Sequence, residues 1–148
     1  VDAMEEATGM QDMGEYLTTL FEIDALFLNQ DRHLNNIALI RDRSRYKPCP
    51  IFDCGDSFLL DFALYSPEIE SRAYLTKAQC LPFKSRFTQT VHTAQTLYGK
   101  QLVVNIDKTS IDTILDKYLC YYPKQFHFLL KERIETVLLE QQKKLFEK

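Results

Sequence analysis

The sequence predicts a mainly α-helical domain with one small β-hairpin near its start. Apolar residues recur at every third or fourth position over most of the chain, which is the period of a helix with one buried face. Two short apolar runs, 37–40 and 49–52, flank a polar stretch that ends in proline, and this arrangement is typical of a hairpin. No stretch rich in Pro, Gly or Ser divides the 148 residues, so we expect a single domain over residues 1–148.

The helical pattern begins at Met13, and the second half of this helix is apolar nearly all round, which predicts deep burial. Asp24 lies in that apolar half. A buried carboxylate needs partners, so we expect Asp24 to bond to backbone amides, Arg32 or His33, with an exposed helix acid as the alternative. Asn29 is expected to end the helix, because asparagine tolerates the left-handed conformation.

The other segments are assigned from the same pattern. Residues 1–12 are acidic and are expected to form a short or frayed lead-in. Residues 56–82 are expected to be ordered at least in part, and 101–106 fit either a strand or an extended packing segment. Further helices are expected over 84–98, over 111–119 with Thr109 or Ser110 as its cap, and over 125–146.

The predicted hairpin places polar side chains together at one end. In an antiparallel pair the start of the first strand lies beside the end of the second, and neighbouring strands are about 4.8 Å apart. Asn36 precedes the first apolar run and Asp53 follows the second, so we expect these two side chains to lie side by side. Asp31 lies on the loop that leads into the same end of the hairpin.

These residue types suit magnesium and phosphate chemistry. Mg²⁺ takes hard oxygen ligands, usually one or two from the protein and the rest from phosphates and water. The Asp53 carboxylate and the Asn36 amide oxygen are therefore candidate metal ligands, and Asp31 would accept or orient a hydroxyl proton during phosphoryl transfer. Because a hydroxyl and a phosphate must fit between the two acids, we expect the Asp31 and Asp53 carboxylates within roughly 10 Å of each other.

Two motifs in order, joined by the hairpin, resemble the catalytic core of HipA-like kinases: Asp31-x-His33-x-x-Asn36 and Phe52-Asp53-x-Gly55. They are also similar to the Asp-Arg-His-x-x-Asn and Asp-Phe-Gly motifs of phosphoinositide kinases, which share the protein-kinase-like fold. The resemblance covers residues 15–58 and departs at Cys54, which replaces the middle residue of Asp-Phe-Gly. The rest of the chain looks like the helical C-terminal region of a HipA-type kinase, in which residues 56–82 occupy the place of an activation segment or substrate-facing loop.

The resemblance implies a serine/threonine-type kinase that uses ATP and Mg²⁺. It implies Asp31 as the catalytic base, Asn36 as a metal ligand and Asp53 as the principal metal-binding acid, so that these three residues together hold the nucleotide and its metal. Arg32 and His33 are implied to structure the loop or to face phosphate. His33 is a catalytic candidate as a proton shuttle, with a structural histidine as the alternative.

A complete kinase also needs a phosphate-covering loop and a strand lysine in an N-terminal lobe. The sequence has four glycines, none of them clustered, and it begins with Val1. We therefore expect a C-terminal lobe from a longer protein, and we expect the chain by itself to be inactive.

Composition narrows the choice of partners. The net charge of −3 gives no electrostatic case for nucleic acid, and no apolar run approaches the ~20 residues that cross a bilayer. The four cysteines show no CxxC pairing, so free thiols in a reducing cytoplasm are expected. A HipA-like chain implies ATP and a protein substrate, whereas similarity to phosphoinositide kinases implies a lipid.

Two other functions remain open from the sequence. The first alternative is an inactive kinase-like domain that binds a protein partner. The second is an unrelated helical interaction domain in which the acidic residues have no function beyond their place in loops. The hairpin geometry separates the second of these alternatives from both kinase-like interpretations.

Overall fold

The computed structural model describes residues 1–81 and 83–147. The helices in these residues are α1 (Asp2–Thr8), α2 (Met13–Phe27), α3 (Phe87–Tyr98), α4 (Lys108–Tyr118) and α5 (His127–Leu145). Strands β1 (Leu39–Asp42) and β2 (Arg45–Pro48) pair as an antiparallel hairpin. Short 3₁₀ turns lie at Leu34–Asn36, Ser71–Ala73, Leu119–Tyr121 and Lys124–Phe126. The predicted fold class, mainly α with a small hairpin, is confirmed.

Helix α2 is the central element and packs against α3 and α5. It begins at Met13 as predicted, and most of its second half is buried. The helix ends at Leu28, which adopts the left-handed conformation with φ of 53°. Leu28 tolerates this backbone because its side chain is fully buried in the core. The prediction that Asn29 ends the helix is therefore wrong, and its side chain has another use in the site.

Helix α1 occupies most of the stretch 1–12, so of the two predicted alternatives, a short or a frayed lead-in, the frayed one is wrong. None of its residues is buried, and for this reason no apolar stripe marks the helix in the sequence. Gly9 ends α1 with φ of 72° and donates its amide to the Glu5 carbonyl.

The hairpin forms as predicted, but its strands pair nearer the turn than residues 37–40 and 49–52. One further bond, from the Cys49 amide to the Ala38 carbonyl (3.1 Å), extends the pairing towards the start of the hairpin. The Tyr16 hydroxyl of α2 lies 3.3 Å from the carbonyl oxygens of both residues, so the helix anchors the point where the strands part. The apolar runs misplaced the strands because β1 and β2 are largely exposed.

Helices α2, α3 and α5 and the segment after the hairpin share one main apolar core. A smaller cluster joins α2, α4 and α5 through Leu26, Ile111 and Leu138. The segment predicted over 56–82 contributes to the main core, and its last residue, Pro82, lies outside the described residues. The main cluster contains Leu20, Phe21, Ala25, Leu28, Leu59, Tyr65, Tyr74, Leu75, Ala78, Cys80, Phe87, Val91, Ala94 and Val137.

Helices α3 and α4 begin at places that the sequence did not predict. Helix α3 begins at Phe87 rather than at residue 84. The cap of α4 is Asp107, whose carboxylate accepts the Ser110 amide at 2.7 Å, so Thr109 and Ser110 are not the caps.

Residues 101–106 form an extended packing segment rather than a strand, and two buried side chains hold it. The Glu22 carboxylate of α2 accepts the Leu102 amide at 2.7 Å. The Gln142 side chain of α5 accepts the Ile106 amide at 2.6 Å and donates to its carbonyl at 3.1 Å. Side chains from two helices thus satisfy backbone groups that a neighbouring strand would otherwise satisfy.

In the described part of the chain, no helix is both long enough and apolar enough to cross a bilayer.

Candidate functional site

A buried ion pair between Asp24 of α2 and Arg32 of the following loop lies at the centre of the site. The Arg32 guanidinium donates from Nε and Nη2 to the two carboxylate oxygens of Asp24, both at 2.9 Å. Both side chains are fully buried. Burial lowers the pKa of Arg32, but the hydrogen bonds and charge of Asp24 outweigh it, so the pKa is raised overall. The predicted pairing of Asp24 with Arg32 is confirmed, and the exposed-acid alternative is wrong.

The same guanidinium joins the loop to the chain that leaves the hairpin. Its Nη1 donates to the carbonyl oxygens of Asn36 (3.0 Å) and Phe52 (2.6 Å), and Nη2 donates to Sγ of Cys54 (3.4 Å). Residues from before β1 and after β2 therefore meet on one side chain, as the hairpin predicts. Arg32 structures the loop, and its full burial excludes the alternative in which it faces phosphate.

Asn29, which the sequence analysis assigned only to the helix end, connects both acidic motifs. Its Nδ2 donates to Asp24 Oδ1 (2.9 Å) and to the Asp53 carbonyl (3.4 Å), and its Oδ1 accepts the Asp31 amide (3.3 Å). The backbones of Asp31 and Asp53 are thereby held by one buried amide. The signal for this role is a polar residue placed between an apolar helix and a charged motif.

The Asn36 side chain is buried and fixed in one orientation. Its Nδ2 donates to the Asp31 carbonyl at 3.1 Å, and its Oδ1 has no hydrogen-bond donor within the described residues. Asp53 is exposed, has φ of 53°, and its carboxylate likewise has no donor among these residues. The left-handed backbone turns the chain at Asp53 itself, and aspartate is among the residues that tolerate it. One amide oxygen and one carboxylate are thus free for a hard cation.

Asp31 and His33 lie on the exposed side of the loop. The His33 amide donates to the Asp31 carbonyl at 2.8 Å, which folds the loop back on itself. His33 Nε2 is 3.9 Å from Asp31 Oδ2, beyond hydrogen-bonding distance but within reach of a small rotation. Both interpretations of His33, structural residue and proton shuttle, therefore stay predictions.

Metal binding at this site would depend on partner oxygens from outside the chain. Among the residues that the structure describes, no three His, Cys, Asp or Glu side chains are grouped as a metal site. Asn36 and Asp53 would supply one ligand each, and such a sparse set suits Mg²⁺ that retains waters and phosphate oxygens. The residues therefore fit a nucleotide-bound magnesium ion and do not form a closed structural site.

Further carboxylates make the exposed side of the site acidic. The Gln30 amide donates to the Asp56 carbonyl at 3.1 Å, which places Asp56 beside the loop that carries Asp31. The pKa of the Asp56 carboxyl is raised by burial and then by the negative charges of Asp61 and Asp31. The Asp56 carboxyl thus lies close enough to Asp31 and Asp61 for their negative charges to affect its pKa.

The segment after Asp53 is fastened to the loop and to α5. The Tyr65 hydroxyl donates to Gln30 Oε1 at 2.6 Å, directly before Asp31 in the chain. The buried Arg133 guanidinium donates to the carbonyl oxygens of Leu59, Tyr65 (2.7 Å) and Ser66 (2.8 Å). Sequence reasoning missed Arg133, although an arginine inside the apolar stripe of α5 was a usable signal.

Comparisons with known proteins bear on the fold. No protein-family model and no curated protein matches the sequence. A crystal structure of a Helicobacter pylori proinflammatory kinase, CtkA, matches over 86% of this chain with a TM-score of 0.53 and 22% sequence identity. The chain has a kinase-like fold. It spans 50% of the length of the CtkA chain.

The comparison therefore supports the fold but does not test the roles of the site residues. The kinase-like fold confirms the coarse part of the resemblance and excludes an unrelated helical domain. The structure brings the backbones carrying Asp31, Asn36 and Asp53 together through Arg32 and Asn29. The roles of these residues, the HipA type and the expected distance between the two carboxylates stay predictions.

Proposed function

We propose that this chain is the C-terminal catalytic lobe of a HipA-like kinase, which in the complete protein transfers a phosphoryl group from ATP to a protein. One observation carries the proposal. Arg32, fully buried, binds the loop that holds Asp31 and Asn36 to the segment that holds Asp53. Phosphoryl transfer depends mainly on positioning and charge, so a rigid support for these three residues is what the chemistry requires.

In the proposed mechanism each residue has a separate task. Asp31, exposed on the loop, accepts or orients the proton of the attacking hydroxyl. Asn36 Oδ1 and the Asp53 carboxylate, both without protein donors in the described residues, would hold the magnesium ion. That ion, when bound with ATP, neutralises phosphate charge. Asn29 and Arg32 position the three residues through their backbones.

The acidic surroundings of Asp31 favour a protein substrate over a phosphoinositide. Asp56 and Asp61 add negative charge near the base: the pKa of Asp56 is raised by burial first and then by the charges of Asp61 and Asp31. Such a field repels an anionic lipid headgroup and attracts the basic flank of a peptide hydroxyl. We propose the cytoplasm, where ATP is present, as the location of this reaction.

Metal binding tests the proposal in the chain itself. Mn²⁺ replaces Mg²⁺ as a paramagnetic probe, and it should broaden the Asn36 side-chain amide signals in NMR spectra when ATP is present. Asp53→Asn should weaken this binding about tenfold or more, because the variant loses the charged ligand. Asp42→Asn is the matched control: it removes an exposed carboxylate from β1 and should leave the binding unchanged.

Turnover tests the assignment of the base. In the complete protein, Asp31→Asn should retain Mn²⁺ binding but lose ~10²–10⁴ in rate, the usual contribution of a general base. The 148-residue chain alone should show no sustained turnover, since it contains no phosphate-covering glycine loop. Full activity of both Asp31→Asn and Asp53→Asn would refute the roles. Equal metal binding by Asp53→Asn and Asp42→Asn would favour an inactive kinase-like domain that binds a protein partner.

A further inference from the structure

A cavity with several polar side chains in a largely apolar lining lies away from the hairpin. Its volume is about 240 Å³, and it opens between the start of α3, the last turns of α5 and the chain around residues 75–78. Asp31, Asn36 and Asp53 are not among its lining residues. The lining includes two cationic side chains, Arg86 and Lys144.

The first turn of α3 borders this cavity and carries amides without hydrogen-bond acceptors among the described residues. Arg86 precedes the helix and supplies no capping oxygen, and no side chain caps α3. The Ser85 hydroxyl, the nearest candidate, is 2.7 Å from Thr90 Oγ1 and so has another partner. The amides of Phe87 and Thr88 donate to no other group within the described residues, and both residues line the cavity. A helix N-terminus with free amides attracts anions.

Gln141 of α5 gives a second, independent indication of a ligand. The residue lines the cavity, is only 3% exposed, and its side-chain amide has no hydrogen-bond partner among the described residues. Among the described residues, two unpaired side-chain atoms are fully enclosed by protein, Ser57 Oγ and Arg133 Nε. The side-chain amide of Gln141 is not one of them, so it retains some accessible surface. A nearly buried polar group needs a partner, and the cavity is the place where Gln141 can meet one.

The charges around the cavity are positive and uncompensated. Neither Arg86 nor Lys144 forms an ion pair with a carboxylate in residues 1–81 and 83–147. The acid next to Gln141, Glu140, is already paired with Arg72 at 2.9 Å. An anion in the cavity would therefore meet two free cations.

We propose that this cavity is a binding site for a phosphate group. The free amides of Phe87 and Thr88 and the Gln141 amide would donate to its oxygens, and Arg86 and Lys144 would balance its charge. The volume leaves room for a substituent, so the ligand class is a phosphomonoester or inorganic phosphate. The site does not depend on the proposed kinase function, because it uses none of the residues assigned there.

The test is a titration of the ¹⁵N-labelled chain at low ionic strength. Inorganic phosphate and O-phosphoserine are added in separate arms, and unphosphorylated serine serves as the ligand control. We expect saturable shifts of the Phe87 and Thr88 amides and of the Gln141 side chain with at least one phosphate compound. Tighter binding of O-phosphoserine would identify a phosphomonoester as the ligand, and equal binding would identify phosphate alone. Shifts that do not saturate, or that occur equally with serine, would overturn the proposal.

Matched lysine variants separate a site from general charge attraction. Lys144→Gln should weaken phosphate binding about tenfold, the effect of one lost charge-assisted contact. Lys143→Gln removes the same charge from the neighbouring exposed position, which does not line the cavity, and should change binding little. Equal losses in the two variants would show diffuse screening and would refute the site.

Gln141 has its own variant. Gln141→Glu places a carboxylate against the anion and should abolish binding, whereas unchanged phosphate affinity in a folded Gln141→Glu chain would exclude Gln141 from the site. Circular dichroism and the amide spectrum establish that the variant is folded. If the variant does not fold, the Lys144→Gln and Lys143→Gln comparison decides the proposal by itself.

Discussion

Replacing Arg32 by methionine tests whether one buried guanidinium holds the site together. The variant keeps much of the side-chain volume but removes every hydrogen bond to Asp24, Asn36, Phe52 and Cys54. The Asp24 carboxylate would then remain fully buried with Asn29 as its hydrogen-bonding side chain. We expect both a large loss of stability and a loosened site.

The size of the expected stability loss follows from the burial of the ion pair between Asp24 and Arg32. Removing one partner of a buried ion pair costs about 3–5 kcal/mol, because the other charge is left without compensation. Domains are typically stable by about 5–15 kcal/mol, so this loss is a large fraction of the total. With a denaturant slope of about 2 kcal/mol per molar urea, the unfolding midpoint should fall by about 2 M.

The assay is urea unfolding followed by circular dichroism, with Arg72→Met as the matched control. Arg72 also forms an ion pair at 2.9 Å, with Glu140, but its side chain is 73% exposed. An exposed pair is worth about 0–1 kcal/mol, so the control should shift the midpoint little. The replaced residue type and the pair distance are the same, so the two variants differ in the burial of the pair and in the additional contacts of Arg32.

A second comparison separates the charge from the carbonyl contacts. Asp24→Leu combined with Arg32→Met removes the stranded carboxylate and should recover part of the stability, but not all, because the carbonyls of Asn36 and Phe52 still lose their donor. If Arg32→Met costs no more than Arg72→Met, the buried pair does not support the site and the reasoning is refuted.

Two carboxyl groups predict opposite pH dependences of stability. The pKa of Asp56 is raised above 3.8 in the folded chain, by burial first, so stability is lost as pH rises through the folded pKa. Asp56→Asn should therefore gain stability at pH 7, and the gain should disappear below pH 3.8. The pKa of Asp107 is lowered by hydrogen bonds from Ser110, so its contribution is present above 3.8 and lost as pH falls through the folded pKa. Asp107→Ala should be less stable at pH 7, with the difference narrowing in acid. Urea unfolding at several pH values measures both effects. If both variants gained stability at pH 7, or both lost it, the result would contradict the reasoning.

Local patterns were sufficient for most helices. Helix α2 and the long helix α5 follow from apolar spacing, because each buries one stripe or more against the core. Helix α1 was missed since it buries nothing, and the strands were misplaced since they are mostly exposed. The spacing of apolar residues predicts a helix or strand only where one face of that element is buried.

The sequence supports a candidate site where the proposed chemistry depends on residue type. Asp31, Asn36 and Asp53 are predicted from their order around a hairpin, and the charge of Asp24 in an apolar helix predicts a partner without deciding among backbone amides, Arg32 and His33. Asn29 was assigned the wrong role, because the contact between its side chain and Asp53 spans 24 residues of sequence. Nothing in a local pattern specifies such a partner.

The sequence by itself determined the fold class, the helical periods and the acidic residues that surround the hairpin. Only the tertiary structure decided which buried polar groups satisfy one another. Arg133 bonds to carbonyl oxygens 67 to 74 residues away, and Glu22 binds a backbone amide 80 residues away. Burial removes water as a partner, so each polar group must find a protein partner. The three-dimensional packing determines which partner that is, because it alone brings distant parts of the chain within hydrogen-bonding distance.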